Sequence, residues 1–166
     1  LLSHVNKPAK ITPQGGKGNV CNKIKDGRGL IALVDEDPDS IQPRYLKLLR
    51  QLGRDVTPRQ LQGLEAWCDP QRGNMLIIVK PRLEDWLISN IAHQLKRHKL
   101  PTNPSELHQT LTSNPNHLQA PLNQAIQQGH QTLIHLAQLL SQAINKKRGR
   151  NYSTSPTTAS AGITPR

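Results

Sequence analysis

Leu30-Ile31-Ala32-Leu33-Val34 is a continuous apolar run, with Gly29 before it and acids after it. No polar residue alternates through it to mark a solvent-facing side, so it predicts a buried strand of the kind found in parallel sheets. Upstream, residues 7–19 are rich in Pro, Gly and Lys, and a short stretch around Ile11 predicts a strand that gives way to a tight loop at Gly15-Gly16-Lys17-Gly18. Asn19 can cap a short helix from Val20 to Lys25, which Asp26-Gly27-Arg28-Gly29 stops.

Downstream, Tyr45, Leu48, Leu49 and Leu52 fall at helical spacing within Arg44 to Leu52, and Gly53 follows as a stop signal. Residues 64–68 (LEAWC) and 75–79 (MLIIV) predict a hairpin, two strands joined by the turn-like DPQRGN, the second again fully apolar. Pro81 ends that strand, and Leu83, Trp86, Leu87, Ile91 and Leu95 mark one face of a helix reaching about His98. From Leu100 the composition changes. Acids almost vanish, Gln, Asn, His and Thr accumulate, and Asn103-Pro104 with Glu106 predicts a helix start. Leu122, Ile126, Leu133, Leu136, Leu140 and Ile144 supply the apolar side of a last helix, interrupted or bent near Gly129. The final NYSTSPTTASAGITPR has no apolar period and predicts disorder. The organisation expected is an α/β domain over residues 1–100, a helical extension over 101–145 and a basic tail over 146–166.

Composition narrows the class. The chain has 166 residues, 34% hydrophobic and 2% aromatic with no Phe, so one core must be built from Leu, Ile, Val and Ala. No apolar run approaches the roughly 20 residues that span a bilayer. Cys21 and Cys68 are too few for a disulfide scaffold and have no CxxC neighbour, which suggests a reducing, cytoplasmic setting. A charge of +11, from 22 Lys+Arg against 11 Asp+Glu, suggests a polyanionic partner such as nucleic acid; DNA is expected ahead of RNA, a preference that charge itself does not supply. Scarce aromatics argue against base-stacking modules. The opening Leu1-Leu2-Ser3-His4-Val5, without Met, reads as the end of an apolar helix, so a longer parent protein is expected.

Four of the eleven acids, Asp35, Glu36, Asp37 and Asp39, follow the apolar strand directly. Like charges this close repel unless a cation compensates. The crevice beyond the carboxyl ends of strands is where open α/β sheets bind ligands. In an extended chain Asp35 and Asp37 point the same way, and two such carboxylates can hold Mg²⁺ together with waters and a phosphate. A solvated turn that caps the next helix is the simpler alternative. The Gly15-Gly16-Lys17-Gly18 loop, though not a P-loop by spacing, can bring backbone N–H groups and Lys17 to a phosphate, or can be only a tight turn. After the other apolar strand, Lys80 and Arg82 can contact a phosphate and Glu84 can complete a metal shell. Alternatively, Glu84 and Asp85 are simply first-turn acids of the Leu83 helix. Lys146, Lys147, Arg148 and Arg150 form the one dense basic run, suited to a nucleic-acid backbone.

Together, the Gly-rich strand-to-helix loop, short helix, apolar strand and terminal DxD resemble the Toprim domain of topoisomerases, primases and overcoming-lysogenisation-defect nucleases. The residues that carry the likeness are GGKGNV at 15–20 and LIALVDEDPD at 30–39, within a resemblance covering roughly residues 1–100. It implies a mostly parallel sheet flanked by helices and a Mg²⁺-dependent, nuclease-like activity on nucleic-acid phosphodiesters. Asp35 and Asp37 take the metal roles, with Asp39 and Glu84 as further candidates. The family's general acid/base glutamate would lie upstream of Leu1, which would leave this chain by itself a poor catalyst. Pro38-Asp39-Ser40 stands where Toprim members usually carry a glycine. The rival reading is a non-catalytic, basic nucleic-acid-binding or partner-docking protein in which the DxD segment is a structural turn.

Overall fold

The computed structural model describes Thr12, residues 15–59 and residues 61–150, with side chains described as far as residue 142. The strand expected around Ile11, the Leu1–Val5 segment and the tail after Arg150 lie outside the described residues. Within them the order is α1 (Lys17–Asp26), β1 (Ile31–Asp35), α2 (Arg44–Leu52), β2 (Arg54–Asp55), β3 (Leu64–Asp69), β4 (Asn74–Val79), α3 (Leu83–Arg97), α4 (Pro104–Ser113), α5 (Gln119–Gln127) and α6 (Gln131–Arg150). A short 3-10 helix, Pro115–Leu118, joins α4 to α5.

The four strands lie in the order β1-β4-β3-β2. β1 runs parallel to β4, from Ile31 beside Met75 to Asp35 beside Val79, while β3 is antiparallel to both β4 and β2. The mostly parallel sheet expected from sequence is therefore corrected to a mixed one. The cause is local. Asp69 accepts hydrogen bonds at Oδ1 from the N–H groups of Gln71 (2.9 Å) and Arg72 (3.1 Å), and Gly73 takes a φ of +67°, so β3 and β4 close as a tight hairpin. A hairpin forces antiparallel pairing; only the long crossover from β1 to β4 permits a parallel neighbour.

β4 is buried at every residue, as its unbroken apolar sequence requires, because both faces of the sheet are covered. Met75, Ile77 and Val79 pack with Leu64 and Ala66 of β3 and with Trp86, Leu87, Ile91 and Leu95 of α3. Leu76 and Ile78 pack on the other side with Val34, with Cys21 and Ile24 of α1, and with Tyr45, Leu46 and Leu49 of α2. Trp86 is core, and its Nε1–H donates to the Gln62 carbonyl (3.1 Å). The helices after residue 100 belong to the first of these cores: Leu107, Ala125 and Leu133 are fully buried in it. Asn103 caps α4 as expected, its side chain accepting from Ser105 N–H and Glu106 N–H. The last helical stretch is divided at Gly129 (φ +81°) into α5 and α6.

Asn74 ties three elements together from the start of β4. It is 1% exposed. Its Oδ1 accepts from Leu30 N–H (2.9 Å), and its Nδ2 donates to the carbonyls of Ile24 (2.6 Å) and Gly27 (3.0 Å). The end of α1 and the entry to β1 are thus fixed to the sheet. No helix among the described residues is long and apolar enough to cross a membrane.

Candidate metal and phosphate site

β1 and β4 end side by side, and their carboxyl ends open into a cleft of about 800 Å³. Its walls come from the Gly15-Gly16-Lys17 loop, the end of β1 with Asp35 and Asp37, the start of α3 with Arg82 and Glu84, and α4.

The pleat sorts the acid cluster. Odd-numbered residues of β1 lie on the α3 side of the sheet and even-numbered ones on the α1/α2 side. Asp35 therefore enters the cleft, where its Oδ1 accepts from Leu83 N–H (3.1 Å) at the start of α3. Burial pushes its carboxyl up from the ordinary value, and the nearby Glu84 and Asp37 charges add to the rise; the Leu83 hydrogen bond and His108 oppose it. Glu36 goes to the opposite face, where it pairs with Arg50 (3.5 Å) and Lys80 (3.7 Å). Arg50 also holds Glu65 (2.9 Å), which Lys80 contacts in turn and to which Trp67 Nε1–H donates (3.1 Å). Burial would raise the Glu65 carboxyl, but the hydrogen bonds from Lys80, Trp67 and Arg50 prevail and hold it below its ordinary value.

Past the strand, Glu36 N–H donates to Val79 (2.7 Å) and Asp37 N–H to Pro81 (3.0 Å), while Asp37 takes a φ of +42°. Asp37 thus reaches the cleft by a backbone turn, not by the straight extension that its spacing from Asp35 suggested. Arg82 stands 3.8 Å from its Oδ1. Lys17 Nζ reaches across from α1 to the carbonyls of Glu36 and Asp37 and to Gln42 Oε1 (3.2 Å). Gln42 Nε2 in turn donates to the carbonyls of Glu36 and Asp37, both at 3.2 Å. The Gly-rich loop and the acidic loop are therefore bound to each other.

Of the residues singled out in the sequence, Gly15, Gly16, Lys17, Asp35, Asp37, Arg82 and Glu84 line this one cleft. Three others lie elsewhere: Gly18 in the first turn of α1, Asp39 exposed outside the cleft, and Lys80 in the ion-pair network across the sheet. The backbones of Lys146, Lys147, Arg148 and Arg150 belong to α6, and their side chains fall outside those described. Sequence reasoning missed the wall supplied by α4, above all His108, whose Nδ1 lies 2.8 Å from Glu84 Oε1. Twenty-four positions separate that pair, and no local spacing rule connects them.

Among the described residues no three His, Cys, Asp or Glu side chains gather as a metal-holding group. That excludes an all-protein cage there; Mg²⁺ in general is bound by one or two carboxylates and keeps several waters. The ionised form of Asp35 is disfavoured first by burial and then by its carboxylate neighbours, the second of which a cation would relieve. Comparison with protein-family models, curated proteins and solved structures gave no match.

Proposed function

We propose that this cleft binds a phosphate group of a nucleic acid through Mg²⁺ held by Asp35 and Asp37, and that the chain is the metal-binding part of a Toprim-like, nuclease-like protein acting on phosphodiesters. The observation that carries the reading is that Asp35, Asp37, Arg82 and Lys17, from three separate elements, line one cleft at the carboxyl end of a parallel strand pair. When bound, Mg²⁺ would offset the charge of a phosphoryl oxygen and orient water. The chain's own residues have narrower tasks. Asp35 is aimed by Leu83 N–H, Asp37 is placed by its backbone turn, and Arg82 supplies a guanidinium to the same space. DNA is the preferred substrate in this proposal. Metal binding is the primary test. Calorimetry with Mg²⁺ should give a binding isotherm that Asp35→Ala with Asp37→Ala removes; equal binding in the double variant refutes the site.

One observation favours a second reading. The chain carries +11, as expected of a protein that holds nucleic acid by its phosphates without chemistry. Affinity that falls steeply with salt and ignores Mg²⁺ would favour it.

A further inference from the structure

Glu84 is 9% exposed, at the start of α3, and its Oε1 is taken by the imidazole of His108 from α4. A carboxylate can only accept, so with Glu84 ionised the proton on this contact belongs to His108 Nδ1. That fixes the ring's orientation and leaves Nε2 as the nitrogen free to serve another group. The His108 side chain is 67% exposed, lines the cleft, and has no hydrogen-bond partner at Nε2 among the described residues. Arg82 lines the same cleft from the residue before α3, with its side chain 55% exposed.

We propose that His108 is a phosphate-contacting residue of the cleft, oriented by Glu84, so that the helical extension supplies part of the binding site. This deepens the reading above and rests on it for the class of ligand, a phosphate or phosphate ester. With Nδ1–H on the Glu84 carboxylate, Nε2 accepts from the O–H of a protonated phosphate as the neutral ring, or donates to a phosphate oxygen as the imidazolium, so both ring nitrogens are satisfied at once. A buried acceptor that holds the ring leaves little rotamer freedom to lose on binding, so the contact is preorganised. The arrangement divides labour: Asp35 and Asp37 face the cation, while His108 and Arg82 face the anion from the α4 and α3 walls. Glu84 is then a positioning residue, acting on the ligand through the imidazole.

The test uses the full chain with inorganic phosphate as probe, in saturating Mg²⁺, followed by calorimetry and by the imidazole ¹⁵N resonances of His108. Phosphate should shift the Nε2 resonance, with Nδ1 remaining the carboxylate-bound nitrogen. A hydrogen bond to a charged group is worth enough that His108→Ala should weaken phosphate about tenfold or more. Mg²⁺ affinity should change less than phosphate affinity in that variant, because the metal is assigned to other side chains. Glu84→Gln keeps an acceptor for Nδ1 and should weaken phosphate less than His108→Ala. The circular dichroism melt checks that His108→Ala, which leaves Glu84 without this partner, remains folded. Phosphate affinity unchanged in His108→Ala overturns this proposal and leaves the metal reading standing. Mg²⁺ binding that survives Asp35→Ala with Asp37→Ala, beside phosphate binding that His108→Ala weakens, refutes the metal assignment and supports this one. A parent chain that binds no phosphate in Mg²⁺ overturns the contact outright.

Discussion

Replacing Asn74 by Ala removes three hydrogen bonds at a site 1% exposed: one accepted from Leu30 N–H and two donated to the carbonyls of Ile24 and Gly27. At about 1 kcal/mol net for each, the loss comes to about 3 kcal/mol. Against a total stability of roughly 5–15 kcal/mol this is a large fraction, and for a chain of this size it corresponds to a fall in Tm of about 6–12 °C. Urea unfolding followed by far-ultraviolet circular dichroism reads it directly as a lower midpoint at constant slope. Asn74→Asp refines the test, since it keeps the acceptor for Leu30 N–H but sets a carboxylate against two backbone carbonyls. It should be less stable than Asn74→Ala at neutral pH and recover in part in acid, where the protonated side chain regains one donor. A loss below about 0.5 kcal/mol in Asn74→Ala, the scale of ordinary surface changes, would refute the view that this amide joins α1 and β1 to the sheet.

Asp35→Asn keeps an acceptor for Leu83 N–H while deleting a charge that burial and Glu84 disfavour. It should raise the urea midpoint at neutral pH. Because the folded-state pKa of Asp35 lies above its unfolded value, the stability cost of its charge starts to fall as pH drops through that folded value and is gone below the unfolded one, where the variant's advantage should vanish. Glu65 has the opposite sign: its contribution is present above the ordinary glutamate range and lost as pH falls through its lowered folded pKa, and Glu65→Gln should remove that part of the acid limb. Tyr45, whose hydroxyl donates to Asp69 Oδ2 (3.0 Å), is pushed up to about 12, first by burial and then by that bond; one of the two tyrosines should resist ionisation in a tyrosinate absorbance titration that Tyr45→Phe simplifies. Leu52→Lys, at a position 68% exposed, should change stability by no more than about 0.5 kcal/mol in the same urea assay.

Periodicity identified the elements well where a segment's burial follows from its own sequence. The unbroken apolar β1 and β4, the Arg44–Leu52 helix and the Asn103 cap all appear close to their expected bounds. It failed where neighbours decide. Leu48 and Leu52 share the spacing of Tyr45 and Leu49, yet they remain 46% and 68% exposed because nothing among the described residues packs over that side of α2. The two-residue β2 is too short to have a period at all. The β3–β4 hairpin was legible in the DPQRGN turn, whose four-residue connection excludes the crossover a parallel pair needs; the mostly parallel sheet was implied by the resemblance and not by this segment. At the site, alternation along β1 separates Glu36 from Asp35, and the sequence contains that information. The positive φ at Asp37, the engagement of Lys17 with the following loop and the meeting of Glu84 with His108 are products of tertiary packing.

The shared core beneath α3 carries a practical consequence. A chain cut near Leu100 would strip Leu107, Ala125 and Leu133 from the hydrophobic face that Ile77 and Leu87 present, and would remove one bank of the cleft in the same stroke. Insolubility and failure to capture ligand would then arrive together, so neither defect in such a shortened protein could be ascribed to the missing bank alone. Dissection of this molecule has to proceed by single side chains, with every helix left in place.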